Sequence, residues 1–485
     1  MAFKHGVYVT EQPTSILAPV EANSAIPFVV GTAPINLSKL AEVPVNKPIL
    51  AYTYKEAVEA LGYSDDWASY TLCEFIYSHF ALYGLSPVIL VNVLDPADTD
   101  HKETVVPASV PVTDGVVTIG VEGIVLSSVV VKSSDGTTTY TAADYSAAFD
   151  DKGHVVITRK AAGTIPANVT ALQVGYDKLK PSGVVAADVI GGVDGTSGAL
   201  TGLELINEAF PRFGLVPGLV LAPGYSQDPT VAAVMTAKAG NINGNFKAMA
   251  LTDIPTDTVT LYGDVPAWKS DNSYTSTQQI PTWPMIKLGD QLFHGSTQIA
   301  GVIGTTDAGR GGVPYASPSN KALKANGAVL ADGTEVFLGI DQANYLNSQG
   351  IVTPLNFGNG WRLWGNNTGA FPGTTDPKDS FIPVRRMFNW ISNSIILTYM
   401  QKVDEPMNKR LVEAVTDSIN IWLNGLTASG ALLGGRVEFN ASENPVTDLM
   451  AGKMRFHLYI TPPSPAQEII FLLEYDASYL AALTA

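Results

Sequence analysis

The pentapeptide Gly224-Tyr-Ser-Gln-Asp228 sits between an apolar run and a helical run, where a nucleophile elbow would present Ser226 for attack on a carbonyl. Asp228 stands where the elbow needs its second glycine. With Pro229 after it, Asp228 fits a helix N-cap followed by proline in the first turn. A serine nucleophile also needs a histidine and an acid, and spacing alone names no such pair. The second candidate, Gly191-Gly-Val-Asp-Gly-Thr-Ser-Gly198, could aim backbone N–H groups at a phosphate. No Lys-Ser/Thr closes a P-loop there and no G-x-G-x-x-G register fits, so the stretch reads as a glycine turn.

The six histidines, His5, His79, His101, His154, His294 and His457, fall in no H-x-x-x-H or H-E-x-x-H spacing. The single cysteine, Cys73, lies among Leu72, Phe75 and Ile76 and reads as a core residue. Neither a metal nor a cofactor is expected. The 485 residues carry 29 bases against 45 acids, net charge −16, which lacks the positive field that nucleic-acid binding requires. Charged residues are only 15% of the chain, so much of the surface must be small and polar or covered by other chains. No stretch reaches 18 apolar residues and the start has no long apolar segment, so we expect no membrane insertion and synthesis in a cytoplasm.

The elements around these residues alternate. Residues 26–33 and 88–94 read as buried strands flanking a helix over 67–83. After residue 185 the pattern resumes as strand 184–190, helix 198–210, strand 215–222, helix 229–239 and strand 246–252. This predicts an open α/β sheet. Between the halves, Val and Thr runs broken by Asp114-Gly115, Asp135-Gly136 and Lys152-Gly153 read as hairpins, an inserted all-β domain. The expected division is an N-terminal arm 1–22, an α/β middle domain 23–96 with 186–355, an inserted outer domain 97–185 and an α+β C-terminal inner domain 356–485. Residues 253–312 are turn-rich and resist assignment.

In the last region, 385–400 and 405–426 read as helices, the second with Met407, Leu411, Val415, Trp422 and Leu426 on one side and Lys409 and Arg410 on the other. Residues 454–461 alternate as a half-buried strand, and 468–475 read as another, carrying Glu468, Ile470 and Leu472. Residues 3–11 form a short strand candidate, with Phe3, Val7 and Val9, that has no hairpin partner in its own arm.

These segments resemble the contractile tail sheath proteins of bacteriophages and phage-tail-like bacteriocins. The resemblance spans most of the chain: Gly6-Val-Tyr-Val-Thr-Glu11, Val30-Gly-Thr-Ala-Pro34, Asp188-Val-Ile-Gly-Gly-Val-Asp194, Leu221-Ala-Pro-Gly-Tyr-Ser226, Ser317-Pro-Ser-Asn320, Arg362-Leu-Trp-Gly365 and Phe381-Ile-Pro-Val-Arg-Arg386. Asn367 stands where the family's Trp-Gly-x-Arg-Thr stretch has arginine. The resemblance implies no catalysis. It implies six-membered rings stacked around an inner tube, which shorten to drive that tube through a cell envelope, with strands exchanged through both chain ends. The implied partners are further copies of this chain, the tail tube protein and the baseplate and terminator proteins. The polymer would be assembled in the bacterial host cytoplasm and then reside in the tail of the particle. Residues 356–485, with 10 bases and 12 acids, are nearest to neutral, which suits Lys409 and Arg410 facing an acidic tube. Two readings compete, an α/β hydrolase-like enzyme using Ser226 and a different tail structural protein.

Overall fold

The computed structural model describes residues 19–358 and 360–483. At its centre is a six-stranded sheet of β1 (Pro27–Gly31), β2 (Ile49–Ala51), β3 (Val88–Asn92), β4 (Leu219–Leu221), β5 (Met249–Asp253) and β6 (Gln279–Thr282). The order is β6-β5-β4-β1-β3-β2, with β2 antiparallel to β3 and all other pairs parallel. Parallel strands covered on both faces need apolar side chains on both. That is why β1, β3 and β4 read as unbroken apolar runs rather than alternations, and every residue in them is buried.

The helices flanking the sheet depart from the expected ones in instructive ways. The 67–83 helix begins only at α1 (Thr71–Ile76) and continues as a π-helical turn, Tyr77–Leu82. The strand expected over 184–190 is instead a helix, Ala186–Ile190. Asp188 Oδ2 accepts the Val185 N–H at 2.7 Å and starts the turn, and periodicity alone cannot tell so short an apolar run from a strand. The 198–210 helix starts later, as a 3-10 turn Gly202–Leu205 leading into Ile206–Phe213. The next helix, α2 (Pro229–Gly240), falls where the sequence puts it, and Asp228 Oδ1 accepts the Thr230 N–H at 2.7 Å. The unassigned stretch 253–312 contains α3 (Gly295–Ala308), buried over most of its length.

Residues 102–179 supply two antiparallel sheets around a core of their own, with Val117, Val131, Ile157 and Leu172 among its members. Strands Lys102–Pro111 and Ala171–Leu179 pair from Lys102↔Leu179 onward, so this β-rich segment leaves and rejoins the main sheet at one place.

The C-terminal region comprises α4 (Ile382–Tyr399), α5 (Lys409–Ala428) and the antiparallel pair β7 (Gly434–Glu438) and β8 (His457–Thr461). Helix α5 starts four residues later than expected. Asn408 Oδ1 caps it by accepting the Leu411 N–H at 2.9 Å, which leaves Pro406 outside the helix. Met387, Trp390, Val415, Ile419, Trp422, Leu423 and Val437 form a second core cluster there. The strand expected over 468–475 is absent. The segment finds no partner strand among the described residues, and a lone strand leaves its backbone groups and apolar side chains uncovered.

Candidate assembly site

Helix α4 carries Arg386, Trp390, Ser394 and Thr398 at four-residue spacing, which stacks them along one face. They hold the backbone of residues 20–24. Arg386 Nη2 donates to the Ser24 carbonyl at 3.1 Å and Trp390 Nε1 to the Ala22 carbonyl at 2.7 Å. The Ala22 N–H donates to Ser394 Oγ and the Val20 N–H to Thr398 Oγ1, each at 2.9 Å. Ala22 meets two successive rungs, its carbonyl at Trp390 and its N–H at Ser394, while Ser24 and Val20 meet the rungs at either end. The Trp390 and Trp422 rings pack at 5.5 Å, and Trp422 Nε1 donates to Glu21 Oε1 at 3.2 Å.

At its inner end the ladder is locked by a buried ion pair. Arg386 donates from Nη1 to Asp307 Oδ1 at 3.0 Å and from Nη2 to Asp307 Oδ2 at 2.5 Å, with both side chains almost wholly buried. Ser24 Oγ adds a bond to Asp307 Oδ2 at 2.6 Å. Buried charge is tolerable only with this degree of pairing. The sequence reading missed the whole ladder, although the four-residue spacing of one arginine, one tryptophan and two hydroxyls was its signal.

Among the described residues the β7–β8 sheet has one closed and one open edge. The Val437 N–H donates to Asn420 Oδ1 at 2.9 Å and its carbonyl accepts from Asn420 Nδ2 at 3.3 Å, so a side chain of α5 occupies the outer edge of β7. Val437 is paired with Leu458, and in an antiparallel ladder such a non-hydrogen-bonded pair points its backbone groups away from each other. Leu458 and, two residues on, Ile460 therefore turn N–H and C=O outward on β8. One sheet face packs Leu458 and Ile460 on the core; the other stacks the Arg436 guanidinium 4.0 Å above the Tyr459 ring, with His457 against the same ring at 4.1 Å.

Beyond the buried Pro462 the chain runs without secondary structure to Asp476. Ile469, Ile470, Phe471, Leu472 and Leu473 lie there exposed, Leu472 at 92% and Leu473 at 98%. Five consecutive exposed apolar side chains mark an interaction surface rather than an ordinary tail. Residues 463–468 also line a cavity of about 730 Å³ with Ser317, Asn344 and Asn367, and the buried Asn367 Oδ1 has no hydrogen-bond partner among the described residues. Lys409 and Arg410 are both exposed at the start of α5, Lys409 within 3.4 Å of Glu413. Phe3, Val7 and Val9 lie outside the described residues.

Ser226 is fully buried at the carboxyl edge of the parallel sheet, just past Gly224, whose φ of +79° turns the chain. Its Oγ donates to Asp253 Oδ2 at 2.9 Å, and the same carboxylate accepts Ser296 N–H and Oγ at 2.9 and 2.5 Å. Burial raises the Asp253 pKa against these bonds. The nearest candidate base, His294, is turned elsewhere, with Nδ1 2.7 Å from Glu74 Oε2. Burial opposes its charge, but the Glu74 carboxylate outweighs that and pushes its pKa up to about 9. The serine thus bonds the acid directly, while the imidazole is protonated at neutral pH and occupied. That arrangement lacks the serine, histidine, acid sequence that activates a hydroxyl. Among the described residues no group of three His, Cys, Asp or Glu side chains could hold a metal, and no helix is long and apolar enough to cross a membrane.

The fold is that of contractile sheath subunits. The chain resembles the sheath of the PVC extracellular contractile injection system in its contracted state, with TM-score 0.57, 16% identity and 99% of both chains covered. It also resembles the contracted helical sheath of the anti-feeding prophage, with TM-score 0.56, 17% identity, and 98% of this chain and 100% of that one covered. Residues 374–475 match the phage tail sheath C-terminal domain family. Over 494 residues the chain is 30% identical to the tail sheath protein of Burkholderia phage BcepMu, covering 99% of this chain and 98% of that protein. The chain belongs to the tail sheath protein family, whose role is structural.

Proposed function

We propose that this chain polymerises as stacked six-membered rings around an inner tube, held stretched, and that the polymer shortens and widens to drive the tube through a cell envelope. The observation that carries the polymer reading is the pairing of an exposed apolar tail, 469–473, with an open edge on β8 in the same chain. Adding the tail of one copy to the edge of another satisfies Leu458 and Ile460 and covers the tail's side chains in one step. Glu468, Ile470 and Leu472 lie in this exchanged strand. Residues 3–11, with Phe3, Val7 and Val9, make the corresponding exchange at the other chain end. The stretched form is a kinetically trapped state, and its release draws on contacts made during assembly.

The division of labour follows the four regions 1–22, 23–96 with 186–355, 97–185 and 356–485, the third facing outward and the last inward. Other copies, the tube, the baseplate and the terminator are the partners, with Lys409 and Arg410 directed at acidic groups of the tube. Assembly takes place in the bacterial host cytoplasm and the product is the tail of the particle. The hydrolase reading loses its support, because Ser226 is buried against Asp253 while His294 is paired with Glu74.

Removing residues 468–485 tests the reading by negative-stain microscopy. The truncated chain should fold and remain soluble, since the exposed apolar tail residues stand clear of every core cluster. It should form no cylinders; cylinders of full length from this chain would overturn the proposal.

A further inference from the structure

The segment held on α4 runs antiparallel to the helix. Ser24 sits at Arg386 near the helix start and Val20 at Thr398 near its end, so the chain leaves the ladder toward its N-terminus at the last turn of α4. In the other direction it passes within three residues into β1, a strand flanked by β4 and β3. Whatever pulls on the N-terminal arm must cross the ladder before it reaches the main sheet.

We propose that Arg386, Trp390, Ser394 and Thr398 form a shear clamp that passes tension from the arm into α4 and keeps it off β1. This rests on the reading that the arm is exchanged with a neighbouring subunit. The segment lies alongside the helix and its bonds cross between the two. A pull along the arm therefore strains all four rungs together, whereas a pull across the helix would break them one at a time. The Ser24 hydroxyl, bonded to Asp307 and to the Gly312 carbonyl at 2.8 Å, stops the inner end from slipping. Ala22, in the middle, is buried in the C-terminal core cluster and adds a packed contact between the rungs.

The test is the full chain carrying Ser394→Ala with Thr398→Val, which strips the acceptors of the Ala22 and Val20 amides and leaves Arg386 and Trp390 in place. Those two amides should exchange hydrogen about tenfold faster than in the wild type. The variant should still assemble cylinders, but after a fixed dose of hydrodynamic shear their median length should fall several-fold below that of wild-type cylinders. Ser394→Ala with Thr398→Ser, which keeps the second hydroxyl, should recover part of that length. Two controls separate the causes. If a chain lacking residues 1–12 also builds full-length cylinders, strand exchange by the arm fails and the clamp fails with it. If that deletion abolishes cylinders while sheared Ser394→Ala/Thr398→Val cylinders match the wild type, the clamp alone is overturned. Failure of the double variant to assemble, with its melting temperature unchanged, would show that the ladder sets arm direction rather than resisting tension, and would also overturn the clamp.

Discussion

Asn420 holds Val437 by both of its backbone groups, so that one amide side chain on α5 imitates an adjoining strand. This closes the outer edge of β7 at Val437 and leaves β8 as the edge for the proposed strand addition; capped edges keep sheets from pairing indiscriminately. Asn420→Ala should cost about 1–3 kcal/mol through the unpaired Val437 groups. It should also yield irregular aggregates beside cylinders in electron micrographs. Asn420→Asp keeps the acceptor for the Val437 N–H and should lie between the two; cylinders of wild-type regularity from Asn420→Ala would refute the role.

The Arg386–Asp307 pair joins α4 to the end of α3 from wholly buried positions. Arg386→Ala strands the Asp307 carboxylate and should lower stability by about 3–5 kcal/mol in denaturant titrations. Arg386→Met with Asp307→Leu removes both charges and should recover most of that loss. A double variant no more stable than the single would mean that the hydrogen bonds to Ser24, rather than the uncompensated charge, dominate.

Lys409 and Arg410 are exposed at the start of α5, and the Lys409–Glu413 pair is itself solvent-facing. Lys409→Glu with Arg410→Glu should leave the melting temperature of the isolated chain nearly unchanged, since exposed ion pairs contribute about 0–1 kcal/mol. Repeated around every ring, the reversed charge should depress assembly on purified tubes. Equal assembly of variant and wild type on tubes would remove these residues from the tube-facing surface.

His79 gives stability a pH dependence. It is buried in the π-helical turn, stacked on Phe75 at 5.5 Å and edge-on to Phe80 at 5.2 Å, and burial pulls its pKa down from 6.5 to about 4. A depressed histidine favours the folded state most above pH 6.5, where the ring is neutral in both states. That contribution is lost as the pH falls toward 4, because the unfolded chain takes up the proton first. The loss by pH 4 is about 3 kcal/mol. His79→Phe should remove this part of the acid sensitivity, seen as a smaller drop in melting temperature between pH 7 and pH 4.5; equal drops would exclude His79 as the source.

The strands β1, β3 and β4 and the helix α2 were legible because apolar runs, Asp228 and Pro229 mark them locally. Helix α3 was not, because burial on all sides leaves it without a polar face, and its Gly, Ser and Thr residues resemble a loop. Ser226 was legible as a residue but not as a locked hydroxyl, since Asp253 lies on another strand. The tail's apolar run was plain in the sequence, yet a strand needs a partner that the described residues do not supply. The clamp escaped because its two halves, residues 20–24 and α4, are more than 360 positions apart.

The tail also sets a length. Only residues 463–467 separate the buried Pro462 from Glu468, where the strand proposed for exchange begins. Fully extended, the six residue steps from Pro462 to Glu468 reach about 20–22 Å. Pro463 and Pro465 stiffen that leash toward a polyproline geometry of about 19 Å. On the proposed exchange of this tail between subunits, the receiving edge could drift no farther than that from the donor's Pro462. Under that proposal the travel allowed between neighbours is a residue count, and inserting a few glycines before Glu468 should slacken it while leaving the core clusters of each subunit intact.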